Sequence, residues 1–126
     1  MAEKSVFEKL LVKPSQSLLI VAAPEGYERR LGSVPDSVTL KVGKAAGEFD
    51  VIQVFVGSRK ELEAGLPGLK KQLRRGGKMW VTYPKGAKLD VNRDTIREYA
   101  ATVGLEAVAI FSVDEKWSAL RLKIAE

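Results

Sequence analysis

Apolar and polar positions divide the chain into strand-like and helix-like segments that alternate. Residues 17–23 and 49–56 are largely apolar runs, the pattern of strands that are buried on both faces of a sheet. Four other segments have the apolar content of strands, and the last two of them form a hairpin around a charged turn. The predicted strands cover residues 17–23, 38–42, 49–56, 78–83, 105–113 and 118–125.

Helical patterns occupy the intervals between the strands. Ser58 stands three residues before Glu61, the spacing of a capping box, in which two side chains satisfy free backbone amides at the start of a helix. The pattern that follows is interrupted at Pro67, so we expect a second helical segment to begin there and to end at Gly76–Gly77. Three further helices are predicted, over residues 5–13, over residues 24–32, and from a cap at Asp90 or Asn92 to Gly104.

Successive strand–helix units predict an α/β fold with an open, mostly parallel sheet and helices on both faces. We expect a single three-layer, Rossmann-like domain over residues 1–126, with strand order 2-1-3-4-6-5 and an antiparallel sixth strand. Only residues 43–48 separate the second strand from the third, whereas a parallel crossover normally takes a dozen residues or more. Either this link is extended or the second strand is antiparallel.

Composition excludes several classes of chemistry. The chain has 126 residues with no His and no Cys, which rules out Ser-His-Asp and Cys-His sites, thiolate nucleophiles and disulfides. The usual ligands of zinc are missing too, and no metal site is predicted. It is uncertain whether the protein is an enzyme, and the absence of these groups favours a protein that is not one.

The net charge of +5 raises the expectation of a phosphate-bearing partner. The densest basic run, residues 70–78, falls at the end of a predicted helix, where cations complement the helix dipole. Because no aromatic side chain stands beside the run, nucleic-acid binding is expected to be weak at most. The apolar run of residues 18–23 is too short to cross a membrane, so we expect a cytoplasmic protein of bacterial type without a membrane partner.

Part of the chain resembles the class I methyltransferase-like Rossmann fold. The resemblance rests on Phe49-Asp50-Val51-Ile52, on the leucines at 62, 66, 69 and 73, and on residues 74–81. It implies a glycine-rich turn after the first strand and an acidic residue at the end of the second. Here the turn, residues 22–27, has one glycine, and Lys41-Val42-Gly43 takes the acidic position. We therefore expect no S-adenosylmethionine and no other cofactor.

A second resemblance is to a small bacterial family of the domain-of-unknown-function type. It is carried by four short segments, and it implies no known activity. These segments are residues 23–27, 58–62, 83–85 and 113–118.

The same four segments follow or precede strands at one edge of the predicted sheet, where ligands of open α/β sheets bind. They offer cations, carboxylates, aromatic rings and a helix N-terminus, which suit a small anionic or nucleotide-like ligand. Alternatively, Ser58 is only an N-cap and the charges form salt bridges within loops. We expect Tyr27 and Trp117 to be partly exposed beside Arg59 and Lys85. The candidate ligand-binding residues are Glu25, Tyr27, Ser58, Arg59, Lys85, Asp114, Glu115 and Trp117.

These observations favour a non-catalytic binding module for such a ligand or for a protein partner. An enzyme with an atypical nucleotide or S-adenosylmethionine site and a weak nucleic-acid-binding protein are the alternatives. Residues 107–111 at the predicted sheet edge carry no charge, although edges are usually guarded by charges or proline. Either a homodimer forms through residues 105–125, or the chain covers this edge itself.

Overall fold

In a computed structural model of the chain, the described residues form six strands and two helices. The structure describes residues 10, 12–13, 15–25, 27, 37–43, 46–85, 90–113 and 115–125. In chain order the elements are β1 (Ser17–Val21), β2 (Thr39–Val42), β3 (Phe49–Phe55), α1 (Arg59–Gln72), β4 (Leu73–Pro84), α2 (Arg93–Thr102), β5 (Leu105–Ser112) and β6 (Trp117–Ile124). The helices expected over residues 5–13 and 24–32 fall largely outside the described residues.

The strands form one sheet in the order β2-β1-β3-β4-β6-β5, which confirms the predicted order. Neighbouring strands from β2 to β4 are parallel, and β6 is antiparallel to both β4 and β5. The predicted Rossmann-like α/β class with a C-terminal antiparallel hairpin is therefore confirmed.

The direction of β2 settles the question of the short link. Because β2 pairs in parallel with β1, from Ser17 beside Thr39 to Ile20 beside Val42, an antiparallel second strand is wrong. The chain must pass from the end of β2 back to the start of β3, a distance of roughly 16 Å by strand spacing and rise. A helix of six residues spans only about 9 Å, whereas an extended link of that length spans about 20 Å. Residues 43 and 46–48, the part of this link that the structure describes, accordingly form no helix.

Helix α1 is one continuous helix, so the predicted break at Pro67 and the predicted end at Gly76–Gly77 are wrong. The hydroxyl of Ser58 caps the helix by accepting from the amide of Glu61 at 3.1 Å, as the capping pattern predicts. The helix ends at Gln72 because Leu73 already pairs with Phe49 in the sheet. Tertiary pairing thus ends the helix before the glycines do.

Two apolar cores lie on the two faces of the sheet. The face covered by α1 and α2, here called the helical face, buries Leu62 and Leu66 of α1 together with Ile96 of α2. The opposite face buries Tyr27, Phe55 and Trp80, with Leu10 packed among them.

The N-cap of α2 is Asn92, which forms a capping box with Thr95. Of the two caps that the sequence allows, Asn92 and Asp90, the structure therefore shows Asn92. None of the helices in the described ranges is long and apolar enough to cross a bilayer.

Candidate functional site

Two of the candidate residues pack into an aromatic row on the opposite face. The ring of Phe55 lies edge-on between Tyr27, at 4.7 Å, and Trp117, at 5.1 Å. Tyr27 is only 1% exposed, so the expectation that it is exposed is wrong, whereas Trp117 is half-buried. The phenol is satisfied inside the protein because it donates to Oε1 of Gln53 at 2.8 Å, and Gln53 donates to Thr82.

Two of the charged candidates, Arg59 and Lys85, contact other groups of the protein. Arg59 pairs through Nε with the carboxylate of Glu63 at 3.0 Å, and its backbone amide donates to Asp90 at 2.9 Å. The Lys85 ammonium contacts the Ser112 hydroxyl, beside the β5–β6 hairpin. Arg59 is thus paired within the protein, although Glu63 belongs to α1 and not to a loop.

The structure does not bring all the candidates to one face. Ser58 and Arg59 begin α1 on the helical face, whereas Tyr27 and Trp117 pack on the opposite face. Glu25 and Glu115 are exposed, and Asp114 lies outside the described residues. Ligand binding by these residues stays a prediction.

The basic run is divided between two elements. Lys70 and Lys71 occupy the last turn of α1, where they complement the helix dipole as expected. Arg74 and Arg75 lie in β4 instead of the helix, and Arg74 pairs with Asp50 at 3.6 Å. Its charge is therefore partly neutralised within the protein.

A cleft of about 520 Å³ lies elsewhere, on the helical face beside α1. Val21 of β1 and Val54 of β3 line it from the sheet, and α1 contributes a wall of small residues, Ala64, Gly65 and Gly68. Most of its surface is apolar. The volume falls within the range of ligand-binding pockets.

The cleft lies on the face where a helix of the crossover between β2 and β3 would pack. In a doubly wound sheet each parallel crossover normally lays a helix on one face, as α1 does between β3 and β4. The described residues of the link, 43 and 46–48, form no helix that could cover the sheet beside α1. The candidate residues predicted from sequence do not line this cleft. The shortness of the link was the sequence signal that locates it.

Glycines on the wall of the cleft are not required by the helix. A Cβ atom built on Gly65 or on Gly68 meets no atom within 4 Å, and neither residue has a positive φ. Each glycine nevertheless lowers helix stability by about 1 kcal/mol relative to alanine. Their presence leaves room for something to approach the helix backbone closely.

The polar groups of the cleft stand at its two ends. The Glu61 carboxylate accepts from the amide of Gly57 at 2.7 Å, and the Gln72 amide donates to the carbonyl of Gly47 at 3.2 Å. The described lining includes no cation. Within the described ranges no group of carboxylates is arranged to hold a metal ion.

Burial accounts for the two ionisable groups whose pKa values shift. Desolvation raises the pKa of Tyr83, which lies in the helical-face core. Desolvation also lowers the pKa of Lys78, with a further lowering from the charges of Lys13 and Arg121 and an opposing effect of Asp50. Neither group lines the cleft.

Comparison with known proteins identifies a family and a fold. The family described as a protein of unknown function, DUF3052, matches residues 45–126, which is more than half of the chain. Among curated protein sequences, none is significantly similar to this chain.

The solved structures that resemble the chain include methyltransferases. The ribosomal protein L11 methylase of Lactobacillus delbrueckii subsp. bulgaricus superposes with a TM-score of 0.64 at 15% identity, over 95% of this chain and 75% of that one. Magnesium protoporphyrin IX methyltransferase of Synechocystis PCC 6803, with bound SAH, gives 0.65 at 7% identity, over 95% and 78%. A TehB-like SAM-dependent methyltransferase of Corynebacterium glutamicum gives 0.61 at 15%, over 94% and 85%. At these identities the similarity shows the fold alone.

The residues described here do not fit S-adenosylmethionine. After β1 the chain turns at Ala22, which has a φ of 60°, and continues through Ala23 and Pro24. These side chains occupy a turn in which the cofactor needs bare backbone, and proline has no amide to donate. The exposed end of β2 presents Lys41 and Val42 where a carboxylate acceptor for the ribose is required.

Proposed function

This chain belongs to the DUF3052 family of proteins of unknown function, and we propose that it is a non-catalytic binding module. Its cleft beside α1 accepts an apolar helix of a partner protein. The observation that carries the proposal is the position of the cleft, on the sheet face that a crossover helix would otherwise cover.

The dimensions of the cleft suit a helix. From Glu61 at one end to Gln72 at the other, the cleft follows α1 for about 16 Å, or three helical turns. A partner helix lying there would bury the exposed part of Val21 against its apolar side, next to Val54, which is already buried. Grooves of this kind bind amphipathic helices through apolar residues spaced one turn apart.

The chemistry of the wall supports an apolar partner more than an anionic ligand. Gly65 and Gly68 allow two helix backbones to approach closely, which offsets their cost to the stability of α1. An anionic ligand would meet the Glu61 carboxylate and no cation among the described lining residues.

The same lining argues against catalysis. Glu61 is the one ionisable side chain that the described lining contains, and its carboxylate already accepts the Gly57 amide. General acid–base catalysis needs a proton donor and an acceptor within reach of the substrate. A single carboxylate engaged at a helix start supports binding better than reaction.

A second candidate function is an enzyme with an atypical nucleotide or S-adenosylmethionine site. The methyltransferases that share the fold favour it, as does the extension of the cleft to Ala22 at the end of β1. The turn and the strand end described above weigh against it.

A display library of amphipathic helical peptides tests the proposal. Peptides selected on the wild-type protein should lose at least tenfold in affinity for the Gly68→Leu variant, whose side chain fills the cleft. They should keep their affinity for Ala101→Leu, a matched change at an exposed position of α2.

Two results would contradict the proposal. One is a selection that yields no peptide distinguishing the wild type from Gly68→Leu. The other is a clear rise in melting temperature with S-adenosylmethionine, S-adenosylhomocysteine or ATP, because a ligand that binds only the folded state must raise it. That rise would favour the second candidate.

A further inference from the structure

Strand β5 ends the sheet and carries the largest exposed apolar side chains of the hairpin. Val108 is 39% exposed and Ile110 is 47% exposed. In the part of the chain that the structure describes, no strand pairs with the outer side of β5. From residue 107 to residue 112 this edge carries no charge. Natural edge strands usually carry charges that prevent pairing with another chain.

The hydrogen-bond pattern shows which backbone groups point outward. The amide of Val113 donates to the carbonyl of Trp117 at 2.9 Å. Because hydrogen-bonded and non-hydrogen-bonded pairs alternate in an antiparallel hairpin, every second residue pair counted from this one is hydrogen-bonded. Phe111 and Ala109 therefore use their backbone groups on β6. Ile110, which lies between them and opposite Leu120, directs its amide and carbonyl away from β6.

A bulge limits the regular part of the edge. The register shifts between Ala107 and Ala109, so Val108 is an extra residue without a direct partner on β6. Such bulges bend an edge strand and end regular pairing. The regular outer edge is therefore short, and Ile110 lies at its centre.

We propose that β5 pairs antiparallel with β5 of a second copy of this chain, about a two-fold axis through Ile110. The two Ile110 residues exchange amide-to-carbonyl hydrogen bonds. Ala109 of each copy then lies opposite Phe111 of the other, a small residue against a large one on both sides of the axis. The two sheets become one continuous sheet.

The distribution of charge favours a second copy as the partner. Glu106 is the one charged residue of β5, and it already pairs with Lys123 of β6 at 3.8 Å. It stands four residues from the axis, beyond the bulge at Val108, and residues 108–112, which lie opposite one another about Ile110, carry no charge. The short regular edge makes the association weak, with a dissociation constant on the order of micromolar.

This association does not depend on the proposed function. The cleft lies over β1 and β3, and β4 and β6 separate those strands from β5. Dimerisation therefore leaves the cleft open. A protein that forms the dimer and binds no helix would contradict the proposed function alone.

Sedimentation velocity from about 1 to 200 μM tests the pairing, since that range brackets a micromolar constant. We expect a concentration-dependent dimer for the wild type and monomers for Ile110→Lys and Ile110→Glu, because like charges would meet at the axis. An equimolar mixture of the two variants should form a heterodimer. A wild-type monomer throughout, or a dimer that survives Ile110→Lys, overturns the proposal, and a mixture that stays monomeric overturns the axis at Ile110.

Val42→Lys is the matched control, because Val42 is 42% exposed on the opposite edge strand, β2. This variant should still form the dimer. Loss of the dimer in this variant would mean that the chains pair through β2 and not through β5. Because a variant can also lose the dimer by failing to fold, a second measurement uses the wild-type protein alone. Hydrogen exchange of the Ile110 amide should slow as protein concentration rises, and an unchanged rate overturns the pairing.

Discussion

The hydroxyl of Tyr99 in α2 donates to the carbonyl oxygen of Glu63 in α1, over 3.3 Å. This carbonyl is the one that the residue four positions later would bond in a regular helix, and that residue is Pro67, which has no amide hydrogen. The second helix therefore supplies the donor that the first one lacks. This contact explains how α1 continues through a proline.

A double-mutant cycle measures this substitution of one donor for another. Tyr99→Phe should lower the free energy of unfolding by about 1 kcal/mol in the wild type, the usual worth of one hydrogen bond. In a Pro67→Ala background it should cost almost nothing, because the amide of the new alanine bonds Glu63. Urea denaturation gives the four free energies. Equal costs in both backgrounds would mean that the hydroxyl does not replace the missing donor.

The same contact shows why the sequence predicts the positions of strands better than the length of a helix. The apolar runs of β1 and β3 and the alternation in β6 are local signals that locate these strands, and the Rossmann-like fold that the sequence resembles supplies their order. The partner of Glu63 lies 36 residues away, so no local pattern around Pro67 reports it. Likewise, Tyr27 can be buried because the side-chain oxygen of Gln53, 26 residues away, accepts a hydrogen bond from its hydroxyl.

The candidate site was harder to predict, because the cleft depends on the short link between β2 and β3 and not on a characteristic set of residues. No residue type marks it in the sequence. In the sequence the short link of residues 43–48 is a difficulty for the topology, whereas in the structure its described residues place no helix over the sheet beside α1. Charged and aromatic loop residues indicated the sheet edge instead, and the structure packs Tyr27 and Trp117 against Phe55 of β3.

Replacing a glycine by alanine should change the free energy of unfolding in opposite directions on the two sides of the C-terminus of α1. Gly68→Ala should raise the free energy of unfolding by about 1 kcal/mol, since the methyl group meets nothing and helix propensity improves. Gly77→Ala should lower it, because its Cβ would lie 2.7 Å from the carbonyl oxygen of Asp50. Thermal denaturation of the two variants gives both signs. A destabilising Gly68→Ala would show that the fold itself needs that glycine.

The partly buried ammonium of Lys78 should make stability depend on pH. Its folded pKa lies below the ordinary value of 10.5, so between those two values the unfolded chain binds more protons and stability rises with pH. Lys78→Met should therefore stabilise the protein at pH 7, and the gain should shrink as the pH approaches 10.5. Denaturation at several pH values checks this, with Lys41→Met, at an exposed position, as the control. A gain that is constant with pH would assign the effect to packing alone.

Binding to nucleic acid should be weak and should depend on salt. Lys70, Lys71, Arg74 and Arg75 form the basic run, but Arg74 already pairs with Asp50. If these residues contacted phosphates, the logarithm of the binding constant would fall by about one unit per contact for each tenfold rise in salt. Fluorescence anisotropy with a duplex should detect little binding at physiological salt. Tight binding there that charge reversal of the run abolishes would contradict this expectation.

The central claim, that the cleft beside α1 is the binding site, is tested most directly by mapping amide chemical shifts. A helical peptide selected on the wild type should be titrated into ¹⁵N-labelled protein. The account predicts that the perturbed amides cluster at Ala64, Gly65 and Gly68 and at the strand residues that face them. Perturbations centred on Tyr27, Lys85 and Trp117, with no change along α1, would contradict it.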